Sequence, residues 1–252
     1  MRSETPREMG LAPASFPLGG SHAALTEWRT CTGARVASAT DADHLSVVPS
    51  LQGTLPMEEP ADIYPLLRRR RSSRSMDPER PVDAAWVRRL LEAARWAPSS
   101  GNGQPWRYIV FDQRVPEALE RARACLSAGN QAWARQAPTL ILSIAKQTRD
   151  DGATNTKAEH DLGLANMCLL LQAVALGLHC RPMGAFDAQA ARQAFHIPAG
   201  YAPLVMIAVG HPGDVSVLPP DLIEKERGPR RRKPLHDLAF LGEWDAPGAA
   251  DG

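Results

Sequence analysis

The spacing of apolar side chains along this sequence predicts a series of amphipathic helices. In the first, residues 61–71, the apolar side chains share one face, and Pro65 is compatible with the helix only in its first turn. A second helix begins after Asp83, a residue type that caps helix N-termini, and apolar residues then recur at helical spacing. Further helices are predicted to begin near Pro116 and Asp187.

Two uninterrupted apolar runs, residues 139–145 and 203–209, have the length of strands in the middle of a sheet. Shorter strands are predicted over residues 107–111 and 178–183. Residues 161–177 are apolar on most sides and predict a buried helix that ends at a glycine. Because strands and helices alternate without a regular β-α-β repeat, the sequence predicts an α+β fold.

The N-terminal segment, residues 1–60, differs from the rest of the chain. It holds six prolines and few aromatic residues, and neither a helical nor a strand period persists in it. This composition predicts a disordered or loosely attached extension, and Met57 is an alternative start of the protein. The sequence therefore predicts an extension, one domain over residues 61–245 and a flexible tail over residues 246–252.

Composition and charge narrow the functional classes. The net charge of +1 gives no overall attraction to nucleic acid or to a membrane surface. The four cysteines form no CxxC pair, which argues against a zinc site and against a disulfide scaffold. The same cysteine spacing leads us to expect no metal site. No continuous apolar segment near the N-terminus resembles a secretory signal, so we expect a cytoplasmic protein.

A cluster of basic residues follows the first predicted helix. Arg70, Arg71 and Arg74 lie within five residues of one another, together with the hydroxyl of Ser72. Guanidinium groups bind phosphate through paired hydrogen bonds, and serine adds a neutral donor, so this segment is a candidate anion site. The alternative interpretation is a run of solvated surface charges.

A polar loop connects the second helix to the next strand. Short polar side chains and exposed backbone donors suit it to hold a polar heterocycle, although an ordinary turn of Pro, Gly and Asn is an equal alternative. Its candidate binding residues are Pro98, Ser99, Ser100, Asn102 and Gln104.

These motifs together resemble the nitroreductase family of flavoproteins. Arg-Arg-Ser-x-Arg at residues 70–74 is followed by Ala-Pro-Ser-Ser-x-Asn-x-Gln-Pro-Trp at residues 97–106. Asn130, a turn at residues 182–186 similar to the family's Gly-Gly-Phe turn, and a basic motif at residues 230–235 follow in the family's order. The resemblance covers approximately residues 61–245, and its specificity lies in the order of the motifs.

The resemblance implies a central mixed sheet flanked by helices in an intertwined homodimer, with FMN bound at the interface. It implies an oxidoreductase that transfers electrons from NAD(P)H to nitroaromatic, quinone or related small acceptors by ping-pong kinetics. Two alternatives stay open. One is a specialised member of the same fold, with flavin-fragmenting, dehalogenating or dehydrogenating activity, and the other is an FMN-binding protein without turnover.

The resemblance also implies roles for the basic segment. Arg70, Arg71 and Ser72 would contact the FMN phosphate and ribityl chain, and Asn130 would hydrogen-bond the pyrimidine edge of the ring. Arg74 would lie near the N1–C2 carbonyl edge. A cation there favours hydride uptake, because that edge gains negative charge on reduction.

The remaining contacts implied by the resemblance come from three other segments. The loop at residues 98–104 would reach the flavin from the partner subunit. The backbone of Met183, Gly184 and Ala185 would lie near N5, and Arg230 and Arg232 would close on the phosphate.

Some nitroreductases carry a glutamate in the turn that holds Gly184 here, so the substrate range does not carry over directly. No histidine is singled out as a catalytic acid or base, because isolated histidines are more often structural or exposed. This agrees with a flavoenzyme, since hydride transfer to flavin depends mainly on positioning.

Overall fold

The computed structural model describes residues 63–234, 237–240 and 244. The predicted N-terminal extension and the predicted tail over residues 246–252 lie outside the described residues. The described helices and strands are α1 (Pro65–Arg69), α2 (Ala84–Arg95), β1 (Trp106–Phe111), α3 (Pro116–Ala124), α4 (Ala128–Ala134), β2 (Thr139–Lys146), α5 (Ala158–Ala175), β3 (His179–Met183), α6 (Ala188–Ala194), β4 (Tyr201–Gly210) and α7 (Pro220–Arg227).

The four strands form one sheet in the order β1-β2-β4-β3, and every neighbouring pair is antiparallel. The expectation of a mixed sheet was therefore wrong for the described strands. The reason is the path of the chain after β2. Helix α5 connects β2 to β3, and β3 is placed one strand position away from β2, which leaves a gap between them. The chain then returns through β4 and fills that position from the opposite direction, so the parallel strands β2 and β3 never become neighbours.

Helices cover both faces of this sheet and divide the core into two clusters. Leu140 and Leu142 of β2 join the cluster that packs against α3, α4 and α6. Ile141, between them, joins the cluster formed with α2 and α5. Because successive side chains of a strand point to opposite faces, a strand covered on both sides is apolar throughout. This explains the uninterrupted apolar runs of β2 and β4.

The ends of several helices follow the sequence signals. The carboxylate of Asp83 accepts a hydrogen bond from the Ala85 backbone N–H at 2.6 Å, and Asp187 caps α6 in the same way. Gly177 follows α5 with a φ of 71°, which is the left-handed conformation that favours glycine. No helix among the described residues combines the length and apolar character needed to cross a bilayer.

Other bounds differ from the prediction. Helix α1 has Pro65 at its first position, as expected, but ends at Arg69, because Arg70 is already extended at ψ 121°. Helix α5 begins at Ala158, ahead of the predicted start at residue 161. Helices α4 and α7 were not predicted, since both are short and their sequences lack a sustained apolar period.

Candidate functional site

Residues 70–74, called the arginine segment below, follow α1 and lie along the outer edge of β3. Ser72 forms a parallel bridge with Cys180 of that strand. A few residues later, Met76 forms an antiparallel bridge with Pro212, and the Asp77 backbone N–H donates to the His211 carbonyl at 3.0 Å. These backbone contacts fix the part of the chain that carries the predicted phosphate-binding side chains.

A buried glutamate on α7 holds the same segment from the other side. The Arg74 backbone N–H donates to both carboxylate oxygens of Glu226 at 3.2 Å, and the Arg74 guanidinium lies 3.5 Å from Oε2. The Ser73 hydroxyl donates to Oε1, and Arg71 donates to the Glu226 backbone carbonyl. Sequence analysis missed this residue, because a glutamate between a lysine and an arginine is typical of an exposed helix face.

Arg230 and Arg232, predicted to act together, have different environments. The guanidinium of Arg230 donates to the Arg70 carbonyl at 2.7 Å and to the Arg68 carbonyl, so it caps the C-terminal end of α1. Burial lowers the pKa of Arg230, and repulsion from Arg71, Arg232 and Arg70 lowers it further. Arg232 is exposed, and its guanidinium donates to the neighbouring Arg231 carbonyl.

Arg181 of β3 is a further cation that the sequence analysis missed. Its guanidinium donates to the Ser72 carbonyl and lies 5.6 Å from the centroid of the Trp133 ring. Its Nε is buried without a hydrogen-bond partner among the described residues. Burial lowers the pKa of Arg181, and Arg74 adds repulsion. The available signal was strand alternation, which places residue 181 on the same face as Met183.

Asn130 of α4 connects this region to the turn after β3. Its amide nitrogen donates to the Ala185 carbonyl at 3.0 Å, and its Oδ1 accepts from Trp133 Nε1 at 3.3 Å. Met183 is buried in the core, whereas Gly184 and Ala185 are exposed. A Cβ placed on Gly184 would meet no described atom within 4 Å, so the turn has open space beside it. The structure therefore brings the arginine segment, Asn130 and this turn together along β3.

The loop at residues 98–104 lies elsewhere. It leads into β1, and β1 and β3 are the opposite edges of the sheet, about 14 Å apart across three strand spacings. Within one chain, the loop and the arginine segment are therefore two separate regions. Asn102 and Gln104 have positive φ values of 56° and 43°, and such strain in residues other than glycine is concentrated at functional sites.

Internal hydrogen bonds hold the loop in this conformation. The Ser99 hydroxyl accepts from the Gln104 backbone N–H at 3.0 Å. The Ser100 backbone N–H donates to the buried carboxylate of Asp161 at 3.0 Å, which anchors the loop to the first turn of α5. An open cavity of about 450 Å³ lies beside the loop and is lined by Pro98, Ser99, Ser100, Thr156, Lys157, His160, Asp161 and Leu164.

The arginines along β3 carry more positive charge than the nearby Glu226 offsets. The groups concerned are Arg70, Arg71, Arg74, Arg181 and Arg230, whose contacts and mutual repulsion place them together. A phosphate monoester carries nearly two negative charges and accepts several hydrogen bonds at once. The arginine donors and the open space beside Gly184 fit an organic phosphate such as FMN.

The fold is α+β, and arginines are clustered along one edge of its sheet. The Nitroreductase family model matches residues 67–211, and the chain belongs to the nitroreductase family. A similar solved structure is the crystal structure of an oxidoreductase containing FMN, which is 32% identical with a TM-score of 0.70. The similarity covers 76% of this chain and 96% of the solved one.

Two curated relatives carry names that indicate different activities. A protein of Ralstonia nicotianae, provisionally named NADH dehydrogenase/NAD(P)H nitroreductase, is 29% identical over 46% of this chain and 69% of its own length. The 5,6-dimethylbenzimidazole synthase of Rhodospirillum rubrum is also 29% identical, over 55% of this chain and 77% of its own length.

Proposed function

We propose that this protein is an FMN-dependent oxidoreductase that transfers electrons from NAD(P)H to nitroaromatic, quinone or related small acceptors. The observation that carries the proposal is the convergence of the arginine segment, Asn130 and the turn at residues 183–185 along one strand. The FMN-containing structure with 32% identity supports the cofactor, and the name of the Ralstonia relative supports the electron donor.

In this proposal the chain's own residues bind and orient the cofactor, and FMN, when bound, supplies the electron-transfer chemistry. Arg70, Arg71 and Arg232 hold the phosphate. Arg74 supplies a fixed positive charge where the ring gains negative charge on reduction. Asn130 uses one amide hydrogen to fix the Ala185 carbonyl and keeps the second for the edge of the ring.

We further propose that a second copy of the chain completes the site. The loop at residues 98–104 and the arginine segment of one chain lie at opposite edges of the sheet, so we assign the loop to the partner's flavin. The outward face of α5 supports this arrangement. It carries half-buried apolar side chains at helical spacing, namely Leu164, Met167, Cys168 and Leu171.

A single open face of the flavin would make donor and acceptor use the same pocket in turn, which is the physical origin of ping-pong kinetics. We also propose a cytoplasmic location. It is supported by the cysteines of the described part of the chain, Cys125, Cys168 and Cys180, which are free thiols and suit a reducing compartment.

Chromophore extraction and steady-state kinetics test this function. We expect FMN as the released flavin, and oxidation of NADH or NADPH in the presence of a benzoquinone or a nitroaromatic acceptor. Double-reciprocal plots at several fixed acceptor concentrations should be parallel. FAD as the bound flavin would contradict the cofactor assignment, intersecting lines would contradict the shared pocket, and bound FMN without turnover would support a binding protein.

A specialised member of the family is the second candidate, because one of the curated relatives is a 5,6-dimethylbenzimidazole synthase. The two candidates differ in what happens to the flavin. The purified protein can be incubated with excess FMN, NADPH and oxygen, and the mixture analysed by liquid chromatography. Formation of 5,6-dimethylbenzimidazole would establish the specialised activity, whereas an unchanged amount of total flavin supports the general reductase.

A further inference from the structure

We infer that Glu226 is a positioning residue that sets both the orientation and the effective charge of Arg74. This inference rests on the proposed function, since Arg74 matters through the flavin ring that it would contact. Glu226 does not touch the cofactor in this scheme. It acts through Arg74 and through the segment that carries Arg74.

The first argument is burial. Glu226 is 8% exposed, and a carboxylate removed from water loses favourable hydration that must be offset by local contacts. It accepts from the Ser73 hydroxyl and from the Arg74 backbone N–H, and its side chain faces the Arg74 guanidinium. These contacts all go to the arginine segment, so the carboxylate is placed where it fixes that segment.

The second argument concerns the surroundings of Arg74. Its guanidinium faces the Glu226 carboxylate at 3.5 Å, while Arg181 is close enough for mutual repulsion. The carboxylate therefore restrains the direction of a cation that its neighbour repels. It also offsets part of the positive charge that Arg74 presents to a nearby ligand.

The third argument is that the same turn of α7 is tied to this segment through its backbone. The Glu226 carbonyl accepts from Arg71, and Arg230, which follows α7, donates to the carbonyls of Arg70 and Arg68. Side-chain and backbone contacts thus join residues 226–230 to residues 68–74. A change at Glu226 is therefore transmitted to the predicted phosphate site as well as to Arg74.

The test combines FMN titration of the apoprotein with potentiometry of the reconstituted protein. Glu226→Ala removes both contacts and charge, and we expect the FMN dissociation constant to rise about tenfold or more, as for the loss of a charge-assisted contact. Glu226→Gln retains an acceptor for Ser73 and Arg74 but removes the charge. We expect it to shift the flavin midpoint potential to a more positive value, because Arg74 then stabilises the reduced anion more strongly.

Glu224→Gln is the matched control, since Glu224 is exposed on the same helix and should leave affinity and potential at wild-type values. Glu226→Asp retains the charge, so its flavin midpoint potential should lie closer to the wild-type value than that of Glu226→Gln. Wild-type affinity in Glu226→Ala would overturn the positioning role, and a wild-type potential in Glu226→Gln would overturn the charge effect. Failure of the wild-type protein to bind FMN would instead overturn the cofactor proposal, and this inference with it.

Discussion

Two arginines that are only two positions apart illustrate how much a single side chain's environment decides. Arg230 is half-buried, and its guanidinium donates hydrogen bonds to carbonyls at the end of α1. Arg232 is exposed, although the residues next to it in the sequence are equally basic. The resemblance implies that both residues contact the phosphate. Because the Arg230 guanidinium also holds the end of α1, we expect the loss of Arg230 to affect the fold as well, and the loss of Arg232 to affect mainly the phosphate site.

We therefore expect the two alanine variants to separate stability from binding. Arg232→Ala should weaken FMN binding by about ten- to a hundredfold, the effect of losing a charge-assisted contact of roughly 1.5–3 kcal/mol. Its melting temperature without FMN should stay near that of the wild type. Arg230→Ala should lower the melting temperature of the apoprotein, because two helix-end carbonyls lose their donor. The same effect of both variants on apoprotein stability would contradict this division.

At the scale of the element, the site depends on how residues 72–77 lie against the sheet. The strand-like contacts of Ser72 with Cys180 and of Met76 with Pro212 place the segment that carries Arg74. The backbone of Met76 and Asp77 also approaches Gly213 closely, and the Gly213 backbone N–H donates to the Ser75 carbonyl at 3.3 Å. This approach requires a residue without a side chain.

Gly213→Ala tests that requirement. The added Cβ would lie 2.5 Å from the Met76 carbonyl oxygen and 2.7 Å from the Asp77 backbone nitrogen, and backbone atoms cannot move aside cheaply. We expect a loss of about 1–3 kcal/mol or more in the free energy of unfolding, measured by urea denaturation, together with weaker FMN binding.

Gly129→Ala is the control for this prediction. A Cβ at Gly129, within α4, would meet nothing within 4 Å. The helix should therefore tolerate the substitution or gain up to about 0.5–1 kcal/mol from the lower backbone entropy of alanine in the unfolded chain. Equal stability of the Gly213→Ala and Gly129→Ala proteins would show that the close approach at Gly213 does not constrain the fold.

At the scale of the whole molecule, the two regions that resemble flavin-binding motifs lie on opposite edges of one sheet. Large apolar side chains are also exposed near the loop and just before α1, including Trp96 at 76% and Tyr64 at 68%. Exposed apolar surface of this kind is typical of interaction sites when it is contiguous. A symmetric pair of chains would cover such surface and supply each arginine segment with the partner's loop.

Light scattering should accordingly give a mass near twice the 27.3 kDa of the chain. Leu171→Glu places a charge on the outward face of α5 and should shift the protein towards the monomer, with a parallel loss of bound FMN. Val115→Glu, at a 44% exposed position before α3, places the same charge away from that face and should change neither property. A monomeric wild-type protein that retains FMN would contradict the shared site.

The sequence by itself determined the features that depend on near neighbours along the chain. The apolar runs at residues 139–145 and 203–209 specified β2 and β4, because a strand buried on both faces has no polar alternation. Asp83, Asp187 and Gly177 specified helix ends through contacts within a few residues. The order of the motifs was sufficient to indicate the family, which the family match confirms.

Only the tertiary structure decided which distant residues meet. Glu226 and Arg181 read as ordinary charged positions, and their roles arise from contacts with residues 72–74, more than a hundred positions away. The antiparallel order of the sheet likewise follows from the path of α5, which no local pattern encodes. The physical reason is that helix caps and side-chain periods are short-range properties of the chain. The pairing of buried charges and the placement of strand neighbours depend on the whole packed molecule.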